Sequence, residues 1–198
     1  MGDALQDLPD VRDMPGDSPP AAASSAPISV WRHPRPDGAA GLCVGAGCDL
    51  TVAPRRAKRL ARRIQAHARR HRLAHEIWTS PLTRCASVGR WLRRWGWRHH
   101  VDAALAEIDF GAWDGRAWAQ IPKAEIDAWV ANFSTFAPAG GEPLQALLMR
   151  ASRWSGGTLV VSHGGWMLAR RWAAMHPHQP PAAHQWPQPP RYGERWAL

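Results

Sequence analysis

Short apolar runs separated by longer amphipathic stretches set the rhythm of this chain. Ile28-Ser29-Val30-Trp31 is too short for a helix and has the β-branched and aromatic content of a buried strand. Arg32-His33-Pro34 closes it, because proline cannot donate to a ladder. Glu76-Ile77-Trp78-Thr79 reads as a second strand and His99 to Asp102 as a third. Thr158-Leu159-Val160-Val161-Ser162 is the most clearly buried strand, and Arg195 to Leu198 can close the sheet. Helical periods lie between them. Over 55–72, Ala57, Leu60, Ile64 and Ala68 share one face. After the second strand, Ser80 suits a helix cap and Pro81 a first helical turn. Leu82, Cys85, Val88, Trp91, Leu92 and Trp95 then carry an apolar face onward. Further helices are predicted over 124–136, 143–154 and 166–175. Strands alternating with helices predict an α/β sandwich with a largely parallel sheet.

Four stretches lack a period. Residues 1–27 are rich in Asp, Pro, Ala and Ser and predict a disordered leader, which leaves 28–198 as a single domain. Pro34 to Pro54 holds Gly38, Gly41, Gly45 and Gly47; a loop of this length is usually functional, and its place after the first strand predicts a wall or lid. Residues 105–115 mix glycines with acids and read as a structured loop. Residues 176–191 form a tail rich in Pro and His.

Charge changes the picture less than its size suggests. There are 25 Lys and Arg against 16 Asp and Glu, a formal net charge of +9. The whole excess lies in 55–72, where Arg55, Arg56, Lys58, Arg59, Arg62, Arg63, Arg69, Arg70 and Arg72 meet no acid. With no aromatic residue interleaved for base stacking, this reads as a solvated helix face, and nucleic acid is not expected as a partner. Cys43, Cys48 and Cys85 are odd in number and lack metal-ligand spacing, which predicts reduced thiols and no metal. No apolar run reaches the roughly 18 residues of a membrane helix, and the acidic leader lacks the basic start of a secretory signal. A cytoplasmic protein without a membrane partner is expected; its oligomeric state is left open. His99, His100, His176, His178 and His184 are expected to be solvated. The 13 tryptophans are scattered without a repeat.

Candidate chemistry gathers at the strand exits, where an open α/β sheet places its ligand crevice. Arg32 and His33 follow the first strand, Arg84 lies in the first turn of the helix after the second, and His163 follows the fourth. If these strands are parallel neighbours, the four side chains converge. Two arginines and two histidines would repel one another without an anion, and arginine offers bidentate donors to phosphate oxygens. One histidine can then attack phosphorus while the other donates to a phosphate oxygen. A leaving alcohol needs a proton, and Glu107 in the structured loop is the available acid, with Asp109 and Asp114 in the same loop as alternatives.

Trp31-Arg32-His33-Pro34, Ser80-Pro81-Leu82-Thr83-Arg84, Glu107 to Gly115, Gly140-Gly141-Glu142 and Val161-Ser162-His163-Gly164-Gly165 together resemble the histidine phosphatase superfamily. They stand in that family's order. The resemblance implies a phosphoglycerate-mutase-like fold, a three-layer αβα sandwich. It implies His33 as a phosphohistidine-forming nucleophile; Arg32, Arg84, His163 and Gly164 as phosphate-binding; His163 as catalytic; Glu107 as proton donor and then acceptor; and no metal or other cofactor. Arg32-His33-Pro34-Arg35-Pro36, followed by Gly41 to Gly45 and Asp49, is similar to the α-ribazole phosphatases of cobalamin synthesis. The match departs at Gly45-Ala46-Gly47-Cys48-Asp49, one residue longer and without an arginine, and at Pro143 in place of a serine. A small phosphorylated substrate is therefore expected, α-ribazole 5′-phosphate first. A protein phosphohistidine phosphatase or a broad small-molecule phosphatase is the alternative, and a weakly catalytic anion- or RNA-binding module is the alternative of another class.

Overall fold

The computed structural model describes residues 27–198. Apart from Pro27, the leader expected over 1–27 lies outside the described residues. Five short strands form one sheet: β1 (Ser29–Arg32), β2 (Glu76–Thr79), β3 (Arg98–Val101), β4 (Leu159–Ser162) and β5 (Arg195–Ala197). Their order is β3-β2-β4-β1-β5. The first four run parallel, and β5 joins β1 antiparallel at the edge. This is the largely parallel sheet that the sequence predicts.

Five helices accompany it: α1 (Pro54–His71), α2 (Thr83–Arg94), α3 (Lys123–Ala131), α4 (Leu144–Arg153) and α5 (Gly164–Met175). Strand alternation divides the sheet's side chains between two cores. Trp31, Ile77, Leu159 and Val161 pack with Leu60 and Ile64 of α1 and Val88 and Leu92 of α2. Val30 and Val160 point the other way, onto Leu147 of α4 and Trp166 and Met167 of α5. Helices therefore cover both faces, giving the three layers. The basic face of α1 turns outward, with Arg55, Arg59, Arg62, Arg63, Arg69 and Arg70 exposed.

The order β2-β4-β1 is what positions the site. It sets three parallel strands side by side with their C-terminal ends on one edge. Arg32 pairs in register with Ser162, and Thr79 with Val161. The His33 amide donates to Ser162 O (2.9 Å) and the Ser80 amide to Val161 O (3.2 Å), so the chain stays registered just past the strand ends.

Several expectations need correction. Helix α2 begins at Thr83, after an extended Leu82, so Ser80 is not its cap and Pro81 is not in its first turn. Asp49 supplies the cap instead, accepting from the Thr83 amide (2.7 Å) and hydroxyl (2.8 Å). Helix α5 starts at Gly164, earlier than the apolar pattern from Trp166 suggests, and α3 ends at Ala131, not 136. Two of the histidines expected in solvent are engaged. His99 Nε2 bonds Thr79 Oγ1 (2.8 Å), and burial with Arg93 and Arg90 nearby lowers its pKa to about 4. His100 bonds Glu76 (2.6 Å) and stacks on Trp78 with ring centroids 4.4 Å apart.

Gly89 shows how closely α2 lies on the sheet, since a Cβ there would stand 2.2 Å from His99 Nε2. Helix propensity alone would favour alanine by roughly 1 kcal/mol, but overpacking costs about 1–3 kcal/mol. Gly89→Ala is therefore expected to lower the urea midpoint, and His99→Ala in the same chain to remove the penalty. A midpoint raised by Gly89→Ala alone would show that the His99 ring yields freely.

Candidate active site

Arg32 ends β1 and His33 follows it, buried at 4% exposure. The His33 Nδ1–H donates to the carbonyl of Pro34 (2.8 Å). A carbonyl can only accept, so this bond fixes the tautomer and leaves the lone pair on Nε2. Burial, then the charge of Arg84, holds the His33 pKa well below its ordinary value. The ring sits 5.0 Å from that of His163, edge to face. Arg32 donates through Nη1 to Pro190 O (2.7 Å), and its guanidinium lies 4.0 Å from the centroid of Tyr192. Its buried Nε–H has no protein acceptor. It lies beside Gly164, where a Cβ would come within 3.3 Å of that nitrogen.

Behind these residues Arg84 is wholly buried. Its Nη1 donates to Cys48 O (2.7 Å), Nη2 to Gly45 O (2.8 Å) and Nε to His163 Nδ1 (3.2 Å). Accepting at Nδ1 makes His163 the Nε2–H tautomer, which donates to Ser80 Oγ (2.8 Å). Burial and the Arg84 charge keep His163 far below its ordinary pKa. The repulsion expected among these groups is limited: burial lowers both histidine pKa values, and Arg84 meets two carbonyl oxygens and, at 3.8 Å, Asp49 Oδ1. The loop over 34–53 is thus the inner wall of the site at Gly45 and Cys48, and not a lid.

Glu107 reaches the site from the other side. Its Oε2 accepts from the Gly165 amide (3.0 Å) at the start of α5, and Oε1 from the Ile108 amide (3.1 Å). A Cβ on Gly165 would stand 2.3 Å from Oε1, so the carboxyl occupies space that only glycine leaves. Desolvation raises the Glu107 pKa, outweighing the two amides and the charges of Arg84 and Arg32. The other acids of this loop have different partners. Asp114 accepts from the amides of Gly45, Gly47 (2.7 Å) and Phe110 (3.3 Å), tying the wall to the 105–115 loop. Asp109 is exposed and accepts from the Gly111 amide (2.8 Å). Gly141 backs this loop, where a Cβ would meet Asp109 O at 2.2 Å, and Glu142 pairs with Arg150.

Arg32, Glu107, Gly164 and Gly165 form the floor of a cleft of about 700 Å³. Arg84, His33 and His163 stand behind that floor. Arg32, His33, Arg84, Glu107, His163 and Gly164 come together, whereas Asp109 and Asp114 are engaged elsewhere in the loops. What sequence reasoning missed is the tail: Pro190 and Tyr192 hold Arg32, Tyr192 lies 5.5 Å from the His33 ring, and Trp186 and Pro189 line the cleft. The one available signal is two aromatic residues in a proline-rich segment. Among the described residues no three His, Cys, Asp or Glu side chains cluster as metal ligands would.

A family model, that of the histidine phosphatase superfamily (branch 1), matches residues 28–192. No curated protein matches the sequence. Among solved structures, the fold is similar to the α-ribazole phosphatase of Shigella flexneri (TM-score 0.65, 22% identity, covering 85% of this chain and 87% of that one). It is also similar to YhfR of Bacillus stearothermophilus (TM-score 0.64, 23% identity, 84% and 86%). A mycobacterial glucosyl-3-phosphoglycerate phosphatase is more distant in shape, with a TM-score of 0.57 at 25% identity over 75% of this chain and 78% of that one.

The hydrogen bond to Pro34 O and the burial of His33 make a direct spectroscopic prediction. With its pKa depressed, His33 stays neutral as pH falls through the ordinary histidine value of about 6.5. Nitrogen-15 correlation spectra should show an unprotonated Nε2 and a protonated Nδ1 from pH 8 to below 6.5. A ring titrating at or above 6.5, or one protonated at Nε2 when neutral, would contradict this assignment.

Proposed function

This chain belongs to the histidine phosphatase superfamily, branch 1, and on that premise we propose that it hydrolyses phosphomonoesters through a phosphohistidine formed on His33. The observation that carries the reading is the His33 Nδ1–H bond to Pro34 O, which leaves a neutral Nε2 lone pair beside Arg32 and Arg84. Nε2 attacks phosphorus and the ester P–O bond breaks. Glu107, whose pKa is raised by burial, protonates the leaving oxygen. Water then attacks the phosphohistidine, the P–N bond breaks, and the Glu107 carboxylate takes the water's proton.

Arg32 binds a phosphoryl oxygen through its unpartnered Nε–H, and the amide at Gly164 adds the positive end of α5. Arg84 has five N–H groups, three of which are committed to protein acceptors, which leaves two Nη donors for a phosphoryl oxygen or for Asp49, whose Oδ1 is 3.8 Å from Nη1. His163 is catalytic through its Nε2–H, which turns from Ser80 Oγ to a phosphoryl oxygen. These cationic and N–H groups supply the charge that a divalent ion provides elsewhere, so the reaction needs no metal. The first substrate to test is α-ribazole 5′-phosphate, supported by Arg32-His33-Pro34-Arg35-Pro36 and the Gly41 to Gly45 segment with Asp49.

His33→Ala is expected to abolish turnover while the circular dichroism spectrum is retained. Labelled substrate and an alkaline quench, with EDTA present throughout, should trap acid-labile label on His33. Label on another residue type, or label that requires an added divalent ion, would overturn the mechanism.

Glu107→Gln separates the two steps. General acid help is worth roughly 10²–10⁴ in rate, so phosphorylation by an alkyl phosphate should slow by that factor. With p-nitrophenyl phosphate, whose phenolate leaves largely unaided, the burst should slow much less even if dephosphorylation suffers. Equal slowing of both bursts would exclude Glu107 as the acid.

A further inference from the structure

Beyond the phosphoryl pocket, the cleft whose floor holds Arg32 and Glu107 has walls of unusual chemistry. Five aromatic side chains form them: Phe110, Trp118, Trp129, Phe133 and Trp186. They are packed as a continuous series. Trp118 and Trp129 lie nearly parallel, 16° apart in plane at 6.2 Å between centroids. Phe110 meets both edge-on, and Phe133 bridges Trp129 to Trp186. Among the described residues, the other polar groups lining the cleft besides Arg32 and Glu107 are Gln188 and the indole N–H groups, that of Trp129 buried without a partner; the rest are aliphatic, proline or glycine.

We propose that this cleft selects phosphomonoesters whose leaving alcohol carries a flat, uncharged aromatic ring, held between the aromatic walls while the ester oxygen meets Glu107. The inference rests on the phosphatase reading above, because continuity with Arg32 and Glu107 is what identifies the occupant as the leaving group. A glycerate would bury its carboxylate against walls whose hydrogen-bonding groups are few, Gln188 and the indole N–H groups, which is unfavourable. A ring instead gains apolar burial and stacking. About 700 Å³ is ample for a bicyclic ring and lies within the roughly 300–1,000 Å³ of small-molecule sites.

The test compares 2-(2-naphthyl)ethyl phosphate with glycerol 3-phosphate, two esters of primary alcohols. The naphthylethyl ester should be favoured by roughly 100-fold in kcat/KM, the ratio that burying one aromatic group supplies. Trp118→Ala, at a 39% exposed position, should cut that ratio at least tenfold; Trp186→Ala provides the same reading should the first variant misfold. A ratio near or below one, or one unmoved by both variants, overturns the proposal. Calorimetry with the two corresponding non-hydrolysable phosphonates on the full chain gives an arm independent of turnover. Should neither ester be hydrolysed, the phosphatase reading fails on its own account, while equal phosphonate affinities overturn the aromatic selection.

Discussion

A guanidinium sealed from solvent is the constraint around which this site is built. Arg84 cannot shed its charge, and burying it unpaired would be prohibitive. Its nitrogens therefore find carbonyl oxygens of Gly45 and Cys48 and the Nδ1 of His163. Each partner carries a further obligation. The carbonyls require the long loop after β1 to fold inward, and Asp114 clasps that loop through the amides of Gly45 and Gly47. The His163 bond forces the opposite ring nitrogen to hold the proton, and Ser80 receives it. One buried cation thus fixes a loop, a tautomer and the neutrality of the second histidine.

Glu107 is set by an opposite device. Its carboxyl lies against the first turn of α5, where two amides would ordinarily favour the charged form, yet loss of water dominates and raises its pKa. Two titratable groups in one pocket, His33 and Glu107, are pushed in opposite directions by the same burial. Opposite shifts of this kind divide the roles of base and acid between two groups in one pocket.

The sheet and the strand-exit residues were legible because each depends on local pattern: short apolar runs buried on both faces in β1 and β4, and polar side chains immediately past the strand ends. Glu107 could be named but not separated from Asp109 and Asp114 by sequence, since the distinction lies in partners more than thirty residues away, such as Gly165 and Gly45. The cap of α2 was misread for the same reason. Ser80 has the right residue type at the right offset, but its hydroxyl meets His163 instead, and Asp49 arrives from a distant loop. The tail was the largest gap. Apart from two aromatic residues, a proline- and histidine-rich stretch gives no sign that Pro190 and Tyr192 hold Arg32 or that Trp186 walls the cleft.

The placement of β1 bears on how the chain reaches this state. Both its neighbours are late: β4 starts at Leu159 and β5 at Arg195, and the tail that grips Arg32 comes between Pro190 and Tyr192. As the polypeptide emerges from the ribosome, Val30 and Trp31 appear early and must wait for partners more than 125 residues away. The contacts of Pro190 and Tyr192 with Arg32 therefore become available only after His33 has been made. Long-range pairing of this kind folds slowly. A nascent chain stalled before residue 190 lacks both β5 and the residues that hold Arg32, so that synthesis itself delays the moment at which the site can act.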